Sequence, residues 1–340
     1  MLARKIKTGV AGHEAGTHVA CDAEKKWALV GGSYGLAAFD IKDPTAPRKM
    51  AFVKTGVATY QGGCFVLIKG EMAFVCGGYG LAVIDLGGLR ATPASMEKIG
   101  GINTGVCTYH GDEACQLQGD LLFVAGGGGF AVIDVSNPKE PVKLSQMDTG
   151  VASNFGGGHC LLHPSQPIVY FAGGYGLAVI DIKEPKAPFK VGETIKTGAA
   201  SMQGNEGMEF SADGKTLFIA GGCGLAVFDV GSDPLKPSRL SWMSTGVATN
   251  EGGAHAAVVS PTLLLVAGGM GLSAIDVSDL TDPKRVQRTS SGVATHKGGA
   301  HVAVYGENNE YAFVVGGQGL SVLSTKYDEW KPGGGCCALM

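Results

Sequence analysis

Four of the chain's eight histidines, His18, His159, His255 and His301, each stand ten residues after the start of a recurring Thr-Gly-Val or Ser-Gly-Val motif. One offset from one motif implies one structural position, so four imidazoles should be presented at equivalent places. Imidazole changes charge between about pH 5 and 8 and is a frequent ligand of transition metals. Three such rings brought together could hold a divalent transition metal such as zinc, iron or copper and leave one coordination position open for chemistry. Without a metal, the same rings could serve a small-ligand site. Glu206, like Glu113, lies one residue before the same offset in its own repeat. The alternative is structural: a histidine here can hydrogen-bond a neighbouring glycine-rich loop in a wet channel, and duplication would copy it along the chain. Residue types and spacing leave both readings open, and neither requires a cofactor.

Other chemistry finds less support. An aspartate closes an apolar run at Asp40, Asp85, Asp134, Asp181, Asp229 and Asp276, which suggests a ring of acids. Aspartate at a strand-to-turn junction more simply caps an Asx turn. The glycine-rich loops after each Thr-Gly-Val lack the helix and the lysine of a nucleotide cradle. No nucleophile–base pair can be picked out. Nine cysteines without a Cys-x-x-Cys pair read as the reduced thiols of a cytosolic protein, not a disulfide framework or a zinc site. A net charge of −3 without a basic block argues against nucleic acid as a partner. The amino terminus lacks the apolar run of a signal peptide. The longest charge-free run, 254–275, is broken by Pro261 and three glycines.

The element that must position the imidazoles is a repeat. A Gly-Gly-x-Gly signature begins at Gly77, Gly126, Gly173, Gly221, Gly268 and Gly316, with a longer version from Gly31. The Thr-Gly-Val starts, from Thr8 to Ser291, are spaced by 45 to 49 residues. In one copy, "EMAFVCGG" (71–78) and "GLAVIDL" (80–86) are two apolar runs joined by a glycine turn, the pattern of a hairpin. A proline-bearing turn, a further strand of the "RKMAFVK" type and a glycine-rich loop then lead to the next unit. Four short strands in about 47 residues make the blade of a propeller. Residues 1–325 are therefore expected to form an all-β, seven-bladed β-propeller. The last repeat ends after its third strand, while "LARKIK" at the start matches a fourth strand. Residues 2–7 are expected to complete the last blade and close the ring.

The ten-residue offset falls where the innermost strand begins to line the central channel. Around the ring the position reads His18, Phe65, Ala114, His159, Gly207, His255 and His301. The seventh blade neighbours the first, so His255, His301 and His18 occupy consecutive blades, with His159 and Glu206 across the channel mouth. Trp27 and Trp242 fall in strand positions and are expected in the core or in inter-blade packing. Cys115 and Cys160 should face neighbouring blades as small hydrophobes.

"GLAVIDI" followed by "EPKAP" resembles the LVIVD repeat, a propeller-forming relative of WD-type repeats. The resemblance implies the fold and no single activity, since propellers serve as enzymes, lectins and docking platforms. In the second repeat "DLGGLRATPASMEKIGG" replaces the proline turn, an altered surface loop.

Residues 326–340 read as a flexible tail ending in Cys337-Ala338-Leu339-Met340. This matches the CaaX prenylation signal of the farnesylated type, with Cys336 as a second, palmitoylation site. One prenyl chain alone anchors only marginally. The expectation from sequence is therefore a lipid-anchored scaffold. It would sit peripherally on the cytosolic face of a membrane and bind a protein partner with its top face. The other reading is a metal-dependent enzyme or small-ligand binder that uses the histidines at the channel mouth.

Overall fold

In the computed structural model the repeats fold into seven antiparallel sheets arranged as a ring, a β-propeller. The structure describes residues 5–330 apart from 11, 13–15, 60–62, 109–112, 154, 156, 202, 204 and 205. Blade 1 shows the pattern, with strands His18–Asp22, Trp27–Gly32, Gly35–Asp40 and Arg48–Val53 in sequence order from the channel outward. The second and third strands are continuous apolar runs because a blade covers each face. The fourth is polar and partly exposed at the rim.

Between the second and third strands the turn needs glycine. Gly35 has φ +140°, and a Cβ there would collide with the carbonyl of Val53. The aspartate column is explained by Asx turns. Asp40 Oδ1 accepts from the Lys42 N–H at 2.9 Å, and Asp85, Asp134, Asp181, Asp229 and Asp276 do the same two residues on.

The core is divided among the gaps between blades. One buried apolar cluster fills each gap in turn, and the last, with Val19, Val30 and Phe39 against Phe313, Val315 and Leu320, joins blade 7 to blade 1. Trp27 packs in the first gap, and Cys115 and Cys160 are fully buried between blades as expected. Trp242 does not pack inside: it lies on an outermost strand and is 47 % exposed.

Of the segment 2–7 expected to form the fourth strand of blade 7, residues 2–4 lie outside the described residues. That sheet has three strands, and the amino-terminal segment meets it at one antiparallel bridge. Ile6 N–H donates to the Leu320 carbonyl at 2.8 Å, and Leu320 N–H returns a bond at 2.9 Å. The Ile6 carbonyl stands against Gly319 as that of Val53 stands against Gly35. At the other end, Tyr327–Glu329 make one 3-10 turn, and Trp330 is buried with its Nε1–H donating to the Ser324 carbonyl at 2.7 Å. Cys336 and Cys337 lie outside the described residues. Among those described, no helix is long and apolar enough to cross a membrane.

Candidate functional site

The seven innermost strands, His18–Asp22, Cys64–Lys69, Ala114–Gln118, Gly158–Leu162, Gly207–Phe210, Ala254–Ser260 and Ala300–Tyr305, surround the channel. All four histidines of the column start or nearly start such a strand, and the fold brings them together. His255 and His301 lie with ring centroids 3.7 Å apart, His301 and His18 3.8 Å, and His18 and Phe65 3.8 Å. His159 completes the circle at 5.7 Å from both Phe65 and His255. The five rings form a belt across the channel. Gly207 makes room for it, since a Cβ there would stand 2.5 Å from the His255 ring.

The belt separates two chambers, and its five rings line both. Above it, a cavity of about 40 Å³ is bounded by Thr17, Glu113 and loop glycines. Below it, a cavity of about 280 Å³ is lined by Gln116, Leu161, Met208, Glu209 and Val304. The imidazoles are thus a partition inside the channel, deeper than a mouth.

Burial dominates their electrostatics. Desolvation, joined by repulsion from the neighbouring rings, holds His18, His255 and His301 well below their ordinary value of 6.5. Desolvation alone takes His159 down to about 4. All four are neutral at pH 7. His18 Nδ1 accepts from the Val66 N–H at 3.3 Å and His301 Nδ1 from the Val19 N–H at 3.5 Å. A neutral ring that accepts at Nδ1 carries its proton on Nε2, so each offers an Nε2–H donor. His301 Nε2, His255 Nδ1 and both nitrogens of His159 are buried without a hydrogen-bond partner. Such groups cost about 1–3 kcal/mol each, and buried polar atoms left this way call for a ligand, water or functional explanation.

Glu206 has a different place from the one its spacing suggested. It is fully buried, and its Oε1 accepts from the Ser201 N–H at 3.0 Å, tying down its own loop. Burial raises it to about 8. Glu113 braces the equivalent loop through the Thr108 N–H at 2.8 Å. Among the described residues no three His, Cys, Asp or Glu side chains are grouped as a metal ion would require. The belt rings lie on one another, and His18, His255 and His301 are the nearest to such a set.

The residue that the column reading missed is Glu209, whose carboxyl burial lifts to about 7. It follows Gly207 by two residues, and Gln116 follows Ala114 by two. Strand side chains repeat with period two, so the second tier of the channel was available from the same alignment.

The LVIVD repeat is recognised over residues 114–149. No curated protein matches the sequence. Among solved structures, the chain is similar to the periplasmic gluconolactonase PpgL of Pseudomonas aeruginosa, at TM-score 0.61 and 15% identity over 80% of this chain and 84% of that one. A Bacteroides fragilis protein provisionally named a 6-phosphogluconolactonase gives 0.62 and 13% over 85% and 86%. A protein from Lactobacillus plantarum gives 0.64 and 15% over 89% and 93%. At such identities the likeness is one of fold. The expectation of an interaction scaffold is corrected here, because the named structures it resembles carry lactonase names. The chain is a seven-bladed β-propeller that carries an LVIVD repeat.

Proposed function

We propose that the chain is a hydrolase acting on small cyclic or simple esters in the central channel, with the imidazole belt as the roof of its site. One observation carries this reading: neutral, buried imidazole rings roof a chamber that also contains a carboxyl with a pKa of about 7. General acid–base catalysis works best with a group whose pKa lies near the working pH. The fold likeness to lactonase-named propellers supports the same class of reaction.

The roles follow from protonation states. Glu209, as carboxylate, takes a proton from water as the water oxygen attacks the ester carbonyl carbon. The Nε2–H group of His18 is a neutral donor suited to the oxygen that gains charge. The carbon–oxygen bond of the ester then breaks, and the proton held by Glu209 passes to the departing oxygen. The products are a carboxylic acid and an alcohol, and Glu209 returns to its starting state. Proton release from a panel of γ- and δ-lactones and acetate esters tests the reading. Turnover above the uncatalysed rate for at least one of them is expected, and none for any would refute it.

Lipidation of Cys337, with Cys336 as a second site and a peripheral membrane location, is a separate proposal supported by the terminal Cys-Ala-Leu-Met. Intact mass of the protein from eukaryotic cells tests it: the farnesyl increment should be present and should vanish in Cys337→Ser.

A further inference from the structure

We infer that the lower chamber selects uncharged ligands the size of a single sugar ring and rejects their phosphorylated counterparts. The inference rests on the hydrolase reading for the location of the site. It adds a substrate class that neither the fold nor the reaction specifies.

Among the described residues, neither chamber is bordered by a lysine or arginine. The groups able to carry charge in the lower chamber are Glu209 and the four belt histidines. Glu209 can carry only a negative charge. The histidines could offer positive charge, but packing prevents it. Two buried imidazolium rings with centroids 3.7–3.8 Å apart would repel strongly.

A phosphate ester brings about −1.5 to −2 charges at pH 7. Protein sites normally meet such a group with arginine forks, lysines or helix N-termini. The innermost elements here are strands, so among the described residues no helix dipole points into the channel. A phosphorylated ligand in the lower chamber would be desolvated beside Glu209 with no cation to pair it.

A neutral polyhydroxylated ring meets a different environment. Gln116 offers an amide, Glu209 a carboxyl, and the belt the faces of neutral rings. Leu161 and Ala303 supply apolar wall for the ring carbons. The volume of about 280 Å³ lies just below the ~300–1,000 Å³ of pockets for drug-sized molecules, which limits the ligand to one small ring.

The test separates this inference from the hydrolase reading by measuring binding without turnover. Glucose and glucose 6-phosphate are titrated into the full chain at pH 7 while the imidazole proton resonances are followed by NMR. Glucose is expected to shift belt resonances with at least tenfold higher affinity than its 6-phosphate. Equal or tighter binding of the phosphate ester overturns the inference, and so does the lack of any shift with either sugar at tens of millimolar, even if lactones are hydrolysed. A shift with glucose but no lactone turnover keeps the inference and refutes only the hydrolase. Two variants place the effect in the lower chamber. Glu209→Gln, which removes the negative charge at constant shape, should narrow the preference severalfold. Gln116→Arg, with its melting temperature checked, should narrow it further. An unchanged ratio in Glu209→Gln also counts against the inference.

Discussion

His255 and His301, on neighbouring blades, lie tilted against each other with ring centroids 3.7 Å apart and planes inclined by 45°. Rings that close inside a protein must be neutral. The belt therefore links stability to pH. In the unfolded chain each histidine takes up a proton near its ordinary 6.5, while folded His159 does so only at about 4. Between these values the unfolded state binds more protons, so stability is complete above about pH 6.5 and falls as the pH drops towards 4. Urea unfolding between pH 4 and 7 should show this acid loss. His159→Phe should weaken it and add about 1 kcal/mol at pH 7, since two unpaired buried nitrogens disappear. An identical acid limb in the variant would contradict the assignment.

Gly207 takes the place that a ring side chain occupies in five other blades. A methyl there would stand 2.7 Å from the His255 Cα, with backbone on one side and the stacked belt on the other. Gly207→Ala should cost about 1–3 kcal/mol, as overpacked cores do, and should displace the His255 resonances most. A variant with wild-type melting and unchanged imidazole shifts would show that the belt does not need this space.

Glu206 works in the opposite pH direction to the histidines. Its carboxyl is raised from 4.5 to about 8, so the folded state holds a proton that the unfolded state releases. That contribution is full below about pH 4.5 and is lost as the pH rises through about 8. The melting temperature of Glu206→Gln minus that of wild type should therefore grow from pH 5 to pH 8. A constant difference would mean that Glu206 is solvated.

Ile6 is the described contact that holds the amino-terminal segment to the third strand of blade 7. We propose that it seals the ring edge, because unpaired strand edges invite association. Ile6→Pro removes the N–H that donates to Leu320 and should cost about 1–3 kcal/mol by leaving that carbonyl unpaired, with weakened closure seen as oligomers in light scattering. A monomeric variant with unaltered melting would remove closure from the account.

Much of this was legible in the sequence because repeats amplify signals. Glycines at equivalent turns and aspartates at equivalent Asx positions fixed the blade, and the offset from Thr-Gly-Val placed His18, His159, His255 and His301 on one ring. Their mutual stacking was not legible, because it depends on the channel radius and on which neighbours are small, as at Ala114 and Gly207. Glu206 misled for a related reason: its position was right, but its side chain turns to Ser201. Glu209 was overlooked because the aligned column was read at one level of the channel. Trp242 was misplaced because an outermost strand leaves one face of a large ring to solvent.

The central claim is that the lower chamber and its roof carry out hydrolysis. The most direct measurement is the initial rate of glucono-1,5-lactone hydrolysis from pH 5.5 to 8.5 by wild type and Glu209→Gln. The account predicts a wild-type rate that rises with pH through about 7, as the Glu209 carboxyl ionises. It predicts a loss of about 100-fold or more in Glu209→Gln, within the ~10²–10⁴ typical of a lost general base, at undiminished melting temperature. A wild-type rate equal to that of buffer, or a Glu209→Gln rate equal to wild type, would contradict it.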